Sequence, residues 1–292
     1  MTDRDWHITG DLDQFLAHAG DFLRSRPALH TVHLTVTAAL SSRGLRVYGE
    51  GDPVFGTLER DGEVRAAFFR TPPGRLMLTP LAAEEAVELA DQLAVRGDEL
   101  PGVMGELDTA SAFAEAWASR TGALSGLHAR QRLYRLGELT IPHPFPPGRP
   151  RVAAANDREQ LMRWYDEFAV AIGESGTSQD PGEWADSRIA YGGITVWETP
   201  DGTPVSMAGI TPKVAGQVRV APVYTPANLR GRGYAGAVTA EVSGMALAAG
   251  ADEVLLFTDL ANPTSNALYQ RIGYRPVEDF AGYDFRPGAE RR

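Results

Sequence analysis

Cysteine is absent from the 292-residue sequence, and lysine is nearly absent, with Lys213 the one lysine among 28 basic residues. The lack of cysteine excludes disulfides, thiolate metal sites and any covalent intermediate on a cysteine sulfur. No cluster of basic residues occurs, and the formal net charge is −10. Because binding of nucleic-acid phosphates needs a basic surface, we expect no nucleic-acid partner. A cationic partner such as an amine suits this charge better.

Long apolar runs are missing as well. No run approaches the roughly 18 residues that a membrane span requires, and the start MTDRDWHITGDLDQF lacks a basic-then-apolar signal pattern. We therefore expect a cytoplasmic protein with no membrane contact. His30 and His33 have no further ligand residues near them in the sequence, so we expect a structural role for both and no metal site.

The chain length suits two domains of about 140 residues each. From position 138 to position 151 the sequence ELTIPHPFPPGRPR holds five prolines, a composition that favours an extended connector. We predict one domain over residues 1–140, a Pro-rich linker over 141–151 and a second domain over 152–292. The alternative is a long surface loop within one domain.

The two halves follow one plan, which indicates an internal duplication. Each has a helical opening, an Asp-Gly hairpin (Asp61-Gly62 and Asp201-Gly202), a strand ending in proline, a long helix, another strand and a helix closing at glycine. The predicted fold is α+β, with two domains that each have a mixed, mostly antiparallel sheet flanked by helices. One difference stands out. The first half passes from TPL directly into its helix, whereas the second inserts ANLRGRGYAG.

The insertion contains GRGYAG, which matches the G-x-G-x-x-G pattern of dinucleotide-binding turns and has Asp259 downstream. That turn follows its strand directly, whereas here TPANLR separates the strand VRVAPVY from Gly231. We therefore disfavour a nicotinamide cofactor. Glycine-rich backbone at the start of a helix can hold any pyrophosphate, and Arg230 and Arg232 add positive charge. The alternative is a tight loop with solvated arginines.

Two helices flank the next strand. The first is predicted from apolar residues at spacings of three and four: Ala235, Val238, Val242, Met245 and Ala249, with Gly250 at its end. After the strand VLLFT, Asn262 and Pro263 form a good helix start and Gly273 a good helix end. Asn266 and Tyr269 then lie on one face of this short helix.

At these residues the chain resembles the GNAT acyl-CoA N-acyltransferase superfamily. The family's pyrophosphate loop is Arg or Gln, two residues, Gly, one residue, then Gly or Ala, which residues 230–235 match. The family's following helix typically reads Asn, a few residues, Ala, then Leu-Tyr and a terminal Gly-aromatic pair, which residues 266–269 and 273–274 match. The resemblance is close over about residues 217–280, and the weaker strand plan extends it to about residue 150.

The resemblance implies a mixed sheet whose two central parallel strands separate, with acetyl-CoA between them. It assigns the pantetheine contacts to backbone groups of Val223, Tyr224 and Thr225. It implies that the pyrophosphate is held by the backbone amides of Arg230, Gly231, Arg232, Gly233, Tyr234 and Ala235. It also implies that Asn262 and Asn266 line the CoA side of the cleft and that Tyr269 lies near the thioester sulfur. The segment PANLR is one residue longer than is common in the family, which leaves the contacts of Asn228 and Leu229 open. A bulky residue in place of Gly233 is expected to abolish acetyl-CoA binding.

The resulting prediction is an N-acetyltransferase with an active second domain and a degenerate first one. An amine would attack the thioester directly, and Tyr269 would protonate the departing thiolate. The general base could be Glu198, Glu174 or a chain of waters. The alternative for Tyr269 is a structural role in the core. The alternative function is an acyl-CoA sensor without turnover. The sequence does not identify the amine substrate, which could be an aminoglycoside-like antibiotic, a polyamine, an amino acid or a peptide. It also does not distinguish a monomer from a homodimer.

Overall fold

The computed structural model describes residues 6–173 and 180–288. Within these ranges the strands are β1 (Trp6–Thr9), β2 (Val54–Arg60), β3 (Glu63–Arg70), β4 (Leu76–Leu78), β5 (Gly102–Glu106), β6 (Leu124–Leu136), β7 (Arg149–Val152), β8 (Ile194–Glu198), β9 (Pro204–Ile210), β10 (Gln217–Tyr224), β11 (Glu253–Asp259) and β12 (Tyr274–Arg286). The helices are α1 (Leu12–Ser25), α2 (Thr31–Arg43), α3 (Ala83–Val95), α4 (Leu107–Thr121), α5 (Arg158–Ala171), α6 (Pro181–Ala190), α7 (Tyr234–Ala248) and α8 (Pro263–Ile272). None of these helices combines the length and apolar character needed to cross a membrane.

The order of elements repeats. The series β1-α1-α2-β2-β3-β4-α3-β5-α4-β6 is followed by β7-α5-α6-β8-β9-β10-α7-β11-α8-β12, which confirms the shared plan. Both predicted hairpins are present. In the first, Asp61 and Gly62 have φ angles of 55° and 77° between β2 and β3, the conformation that an Asp-Gly turn supplies readily.

The described residues form two compact units. Unit 1 contains residues 6–132, 259–261 and 278–288, and unit 2 contains residues 133–173, 180–258 and 262–277. This division differs from the boundary predicted at the Pro-rich segment, because β6 and β12 each contribute residues to both units. The predicted boundary rested on the local proline content. Proline content indicates a connector, but it does not show which strands pair with β6 and β12.

In unit 1 the strand order is β1-β2-β3-β4-β5-β12. The pairing of β4 with β5 is parallel, and the other four pairings are antiparallel. Helices α3 and α4 cover the sheet with an apolar core that includes Phe68, Leu78, Leu89, Phe113 and Trp117, all nearly inaccessible to solvent. Burial of these large side chains supplies the main favourable free energy of folding for this unit.

In unit 2 the strand order is β6-β11-β10-β9-β8-β7, and β6 contributes its residues 133–136. Only β10 and β11 are parallel among the pairings described from β11 to β7. Helix α7 packs on one face, where its Val238 and Val242 meet Val254. Helices α5 and α6 pack on the other face through Trp164 and Trp184. The predicted fold, a mixed and mostly antiparallel sheet flanked by helices, is therefore observed in each unit.

Two details of the sequence analysis need correction. Residues 149–151, assigned to the linker, begin strand β7, which pairs with β8 at the edge of the sheet where proline is tolerated. The predicted apolar face of α7 is also rotated: Val238 and Val242 are buried, but Met245 and Ala249 are exposed. Because alanine and glycine pack on several sides of this helix, apolar periodicity alone did not locate the buried side.

Candidate active site

The two parallel strands of unit 2 separate midway along β10. They pair over Gln217–Arg219 with Glu253–Leu255, and no later pairing between them occurs in the part of the chain that the structure describes. Against β9, the register of β10 shifts by one residue between Val220 and Val223. Such a β-bulge bends its strand, which turns the end of β10 away from β11. The opening lies directly before the glycine-rich loop.

The loop leaves a row of backbone amides at the start of α7 that have no hydrogen-bond partner in the described part of the chain. Gly231 and Gly233 have φ angles of 76° and 85°, a backbone conformation that glycine adopts without steric cost, and Gly233 is the residue that precedes the helix. Within the described residues no hydrogen bond involves the amides of residues 231–236. The Arg230 amide donates to the Ala227 carbonyl at 3.4 Å, so the free row begins at Gly231.

The two arginines of the loop are anchored to its backbone. Arg230 Nε donates to the Thr225 carbonyl at 3.0 Å, and Arg232 Nη2 donates to the Asn228 carbonyl at 3.2 Å. No acidic residue lies in the first turn of α7. Free amides, a helix N-terminus and two guanidinium groups together provide the donors and the positive charge that a pyrophosphate requires. The residues present therefore fit the diphosphate of a CoA thioester.

The equivalent helix start in unit 1 has the opposite character. Glu84 and Glu85 occupy the first turn of α3. Glu85 Oε2 accepts a hydrogen bond from the Ala82 amide at 3.0 Å, and Glu85 Oε1 pairs with Arg60 at 3.0 Å. Carboxylates at this position oppose the positive end of the helix dipole and repel an anion. This supports the prediction that the first copy lacks a pyrophosphate site.

The end of β10 is tied into the sheet by side-chain hydrogen bonds that the sequence did not reveal. Ser206 Oγ on β9 donates to the Tyr224 carbonyl at 3.0 Å and lies 2.8 Å from Thr225 Oγ1. Val223 lies opposite Ala208 in the ladder with β9. A carbonyl oxygen has two lone pairs, so these bonds leave capacity for a further donor. The predicted pantetheine contacts of Val223, Tyr224 and Thr225 stay predictions.

The predicted start and end of α8 are confirmed. Asn262 Oδ1 accepts from the Ser265 amide at 3.0 Å as the N-cap, and Gly273 ends the helix in a left-handed conformation. Asn266 Nδ2 donates to the Asn262 carbonyl at 2.8 Å, while Asn266 Oδ1 accepts from the Tyr134 hydroxyl at 3.0 Å. Both asparagines thus help to build the helix. Tyr134 was missed, because it lies on β6 far away in the sequence.

The two motif segments are in contact. A methyl group added to Gly236 in the first turn of α7 would lie 3.0 Å from Cδ1 of Leu268 on α8. That spacing is tighter than ordinary van der Waals contact, so α8 approaches α7 closely because residue 236 has no side chain.

Tyr269 is buried in the core of unit 2, with only 8% of its surface exposed. Its ring lies edge-on to Tyr274 with the ring centroids 6.1 Å apart. The Tyr274 hydroxyl pairs with Ser243 Oγ at 2.7 Å, whereas the Tyr269 hydroxyl has no hydrogen-bond partner among the described residues. Burial raises the pKa of Tyr269 to about 12, so this phenol carries its proton at neutral pH. Tyr269 is thus both a core residue and an uncommitted hydrogen-bond donor.

The candidate general bases differ in their hydrogen-bond partners and in their charge environment. Glu198 is buried and accepts from Arg151 Nε at 2.5 Å and from Arg149 Nε at 2.8 Å. These two arginines lower the pKa of Glu198, the opposite of what a general base needs, and the ion pairs tie β7 to β8. Glu174 lies outside the described residues. A carboxylate that the sequence analysis missed, Glu167 on α5, accepts from the Tyr224 hydroxyl at 2.7 Å.

The histidines of unit 1 have structural contacts. His30 Nδ1 donates to the Leu23 carbonyl at 3.1 Å, and His33 Nε2 donates to the Met77 carbonyl at 3.2 Å. Burial lowers the pKa of both, that of His33 to about 3, and His30 adds to the shift of His33. Among the residues that the structure describes, no three His, Asp or Glu side chains form a group that could hold a metal ion.

Comparison with known proteins agrees with this geometry. Residues 158–274 match the model of the Acetyltransferase (GNAT) family, so this part of the chain is a GNAT acetyltransferase domain. No curated protein sequence matches the chain. The fold of nearly the whole chain is found in three solved structures, each less than 20% identical to it.

The first of these structures is a GCN5-related N-acetyltransferase from Sphaerobacter thermophilus, with a TM-score of 0.61, 18% identity and coverage of 97% of this chain and 96% of that one. A GNAT-family acetyltransferase from Colwellia psychrerythraea has a TM-score of 0.58 and 11% identity, with coverage of 97% and 100%. A tandem GNAT protein from the clavulanic acid biosynthesis pathway has a TM-score of 0.56 and 11% identity, with coverage of 96% and 98%. The predicted GNAT fold in its tandem form is confirmed, and the family match supports acyl transfer in general.

Proposed function

We propose that the protein is an N-acetyltransferase that transfers the acetyl group of acetyl-CoA to a primary amine of a small molecule or peptide. The reaction takes place in unit 2, and the first copy contributes no acyl-CoA site. One observation carries the proposal. The strands β10 and β11 separate where a row of free amides, flanked by Arg230 and Arg232, begins α7.

The chemistry follows from the groups available. With no cysteine in the chain, the amine nitrogen attacks the thioester carbon directly, an N–C bond forms and the C–S bond breaks. An amide at the end of β10 stabilises the oxyanion. The Tyr269 hydroxyl gives its proton to the departing thiolate and recovers one from solvent, while the proton of the amine leaves through water. The phenol suits this step because it is protonated at neutral pH and can hydrogen-bond the sulfur as negative charge develops there.

The direct test is release of free thiol from acetyl-CoA in the presence of a panel of primary amines, with the acetylated product identified by mass spectrometry. The proposal predicts thiol release that depends on both acetyl-CoA and an amine. Acetyl-CoA binding without turnover on any amine would overturn it and favour the sensor instead. Thiol release that does not depend on an amine would indicate a hydrolase.

A further inference from the structure

The carboxylate of Glu167 is held against the end of β10. Helix α5 presents Trp164 and Glu167, three residues apart and thus on one face, to Tyr224. The rings of Trp164 and Tyr224 have centroids 6.3 Å apart, and the Tyr224 hydroxyl donates to Glu167 Oε2 at 2.7 Å. Burial, followed by the nearby carboxylate, raises the pKa of Tyr224 to about 12, so the phenol remains a donor to Glu167. This bond fixes the position of one carboxylate oxygen.

The charge of Glu167 is not neutralised by any salt bridge within the described residues, whereas three other acids of unit 2 are paired with arginines. Asp157 and Glu198 pair with Arg151, and Asp186 pairs with Arg158. Glu167 is exposed to solvent, and its Oε1 atom accepts no hydrogen bond from a described residue. A positioned carboxylate with one uncommitted oxygen is a ligand for an ammonium group.

The location of Glu167 decides which amine it can meet. Under the proposed function, the thioester lies beside the backbone at the end of β10. Glu167 bonds to the hydroxyl of Tyr224, so the length of a tyrosine side chain separates it from that backbone. At this distance from the backbone, Glu167 lies away from the expected position of an amine that attacks the thioester carbon. It can contact a second positive group on the same acceptor.

We propose that Glu167 is a specificity-determining residue that binds a second ammonium group of a diamine or polyamine acceptor while the first amine attacks the thioester. This inference rests on the proposed function for the position of the attacking amine. The net charge of −10 favours the approach of such a dication. Tyr224 orients the carboxylate, and the Arg230 guanidinium, which donates to the Thr225 carbonyl, also lies near the Tyr224 side chain.

The test compares 1,4-diaminobutane with 1-aminobutane, which have the same carbon chain and differ in one ammonium group. Glu167→Gln is expected to raise KM and Kd for the diamine at least tenfold with little change in kcat. For the monoamine, all three constants should remain unchanged. Asp166→Asn is the matched control, because it removes one exposed carboxylate from the next position of α5 and should leave the diamine constants unchanged.

Calorimetric Kd values separate the failure of this inference from that of the proposed function. If the enzyme acetylates both amines and Glu167→Gln binds the diamine as well as the unmodified protein does, the inference is wrong and the proposed function stands. If no amine is acetylated but diamine binding still depends on Glu167, the proposed function is wrong and the ammonium site stands. If the unmodified protein binds the diamine no better than the monoamine, the inference is overturned. An equal loss in Asp166→Asn also overturns it.

Discussion

The hydroxyl of Tyr269 and that of Tyr274 lie on neighbouring rings in the core of unit 2, yet among the described residues only the second has a hydrogen-bond partner. This contrast gives a test of the catalytic role. Tyr269→Phe removes a hydroxyl that makes no hydrogen bond to a described residue, so we expect turnover to fall at least tenfold with little change in stability or acetyl-CoA binding. Kinetic constants and thermal unfolding check both expectations.

Tyr274→Phe is the control for that experiment. It breaks the hydrogen bond to Ser243, so we expect a loss of about 1 kcal/mol in the free energy of unfolding and unchanged turnover. Equal turnover in Tyr269→Phe and the unmodified protein would remove Tyr269 from the mechanism and leave it a core residue.

His33 gives a pH dependence of stability. Its pKa is about 3 in the folded protein and near 6.5 when unfolded, so the unfolded chain binds more protons below pH 6.5. The stability contribution is complete above pH 6.5 and falls by up to about 1.4 kcal/mol for each pH unit below it. Unfolding by urea at pH 7 and pH 5 should show this loss. His33→Gln, whose amide can donate to the Met77 carbonyl, should show a smaller one.

A pH dependence in His33→Gln as steep as in the unmodified protein would show that other groups cause it. His30 titrates in the same direction, so a residual slope in the variant is expected.

At the scale of elements, the start of α7 distinguishes the two copies. Gly233 and Gly202 both have a φ angle of 85°, but Gly233 lies in the glycine-rich loop before α7 and Gly202 lies in the β8–β9 hairpin. Replacing either by alanine should cost about 1–2 kcal/mol of stability because of backbone strain. Only Gly233→Ala should weaken acetyl-CoA binding, by at least tenfold, because the strained backbone misdirects its amides. Thermal unfolding and calorimetric titration of both variants measure the two effects.

Equal affinities of the two glycine variants for acetyl-CoA would show that the loop does not hold the pyrophosphate.

Local signals explain which elements could be predicted from sequence. The hairpins, the loop, and the start and end of α8 each depend on residues within a few positions of one another, such as Asn262 with Ser265. The bond between Glu167 and Tyr224 joins residues 57 positions apart, and that between Tyr134 and Asn266 joins residues 132 apart. No local pattern marks such pairs. The sequence therefore predicted the loop and the helix of the candidate site but not the hydrogen bonds that Glu167 and Tyr134 make with it.

At the scale of the whole molecule, each unit includes residues from the opposite half of the sequence. Residues 278–288 belong to unit 1, where Phe280 to Asp284 pair with β5 and Asp279 forms a two-bonded ion pair with Arg132. Truncation after Val277 should therefore destabilise unit 1. We expect amides of β5 to lose protection in hydrogen exchange, because their hydrogen bonds and the buried Ala281 are lost.

Truncation after Arg286 is the control, since it keeps β12 intact and should leave β5 protected. Unchanged protection of β5 after the longer truncation would contradict the assignment of the C-terminal strand to unit 1.

The central claim is that one of two similarly built copies holds acyl-CoA. The amides at the start of α7 can donate to an anion, and the glutamates in the first turn of α3 would repel one. Calorimetric titration of the full chain with acetyl-CoA tests this claim most directly. One binding site per chain is predicted. Two sites per chain, or no binding at all, would contradict it.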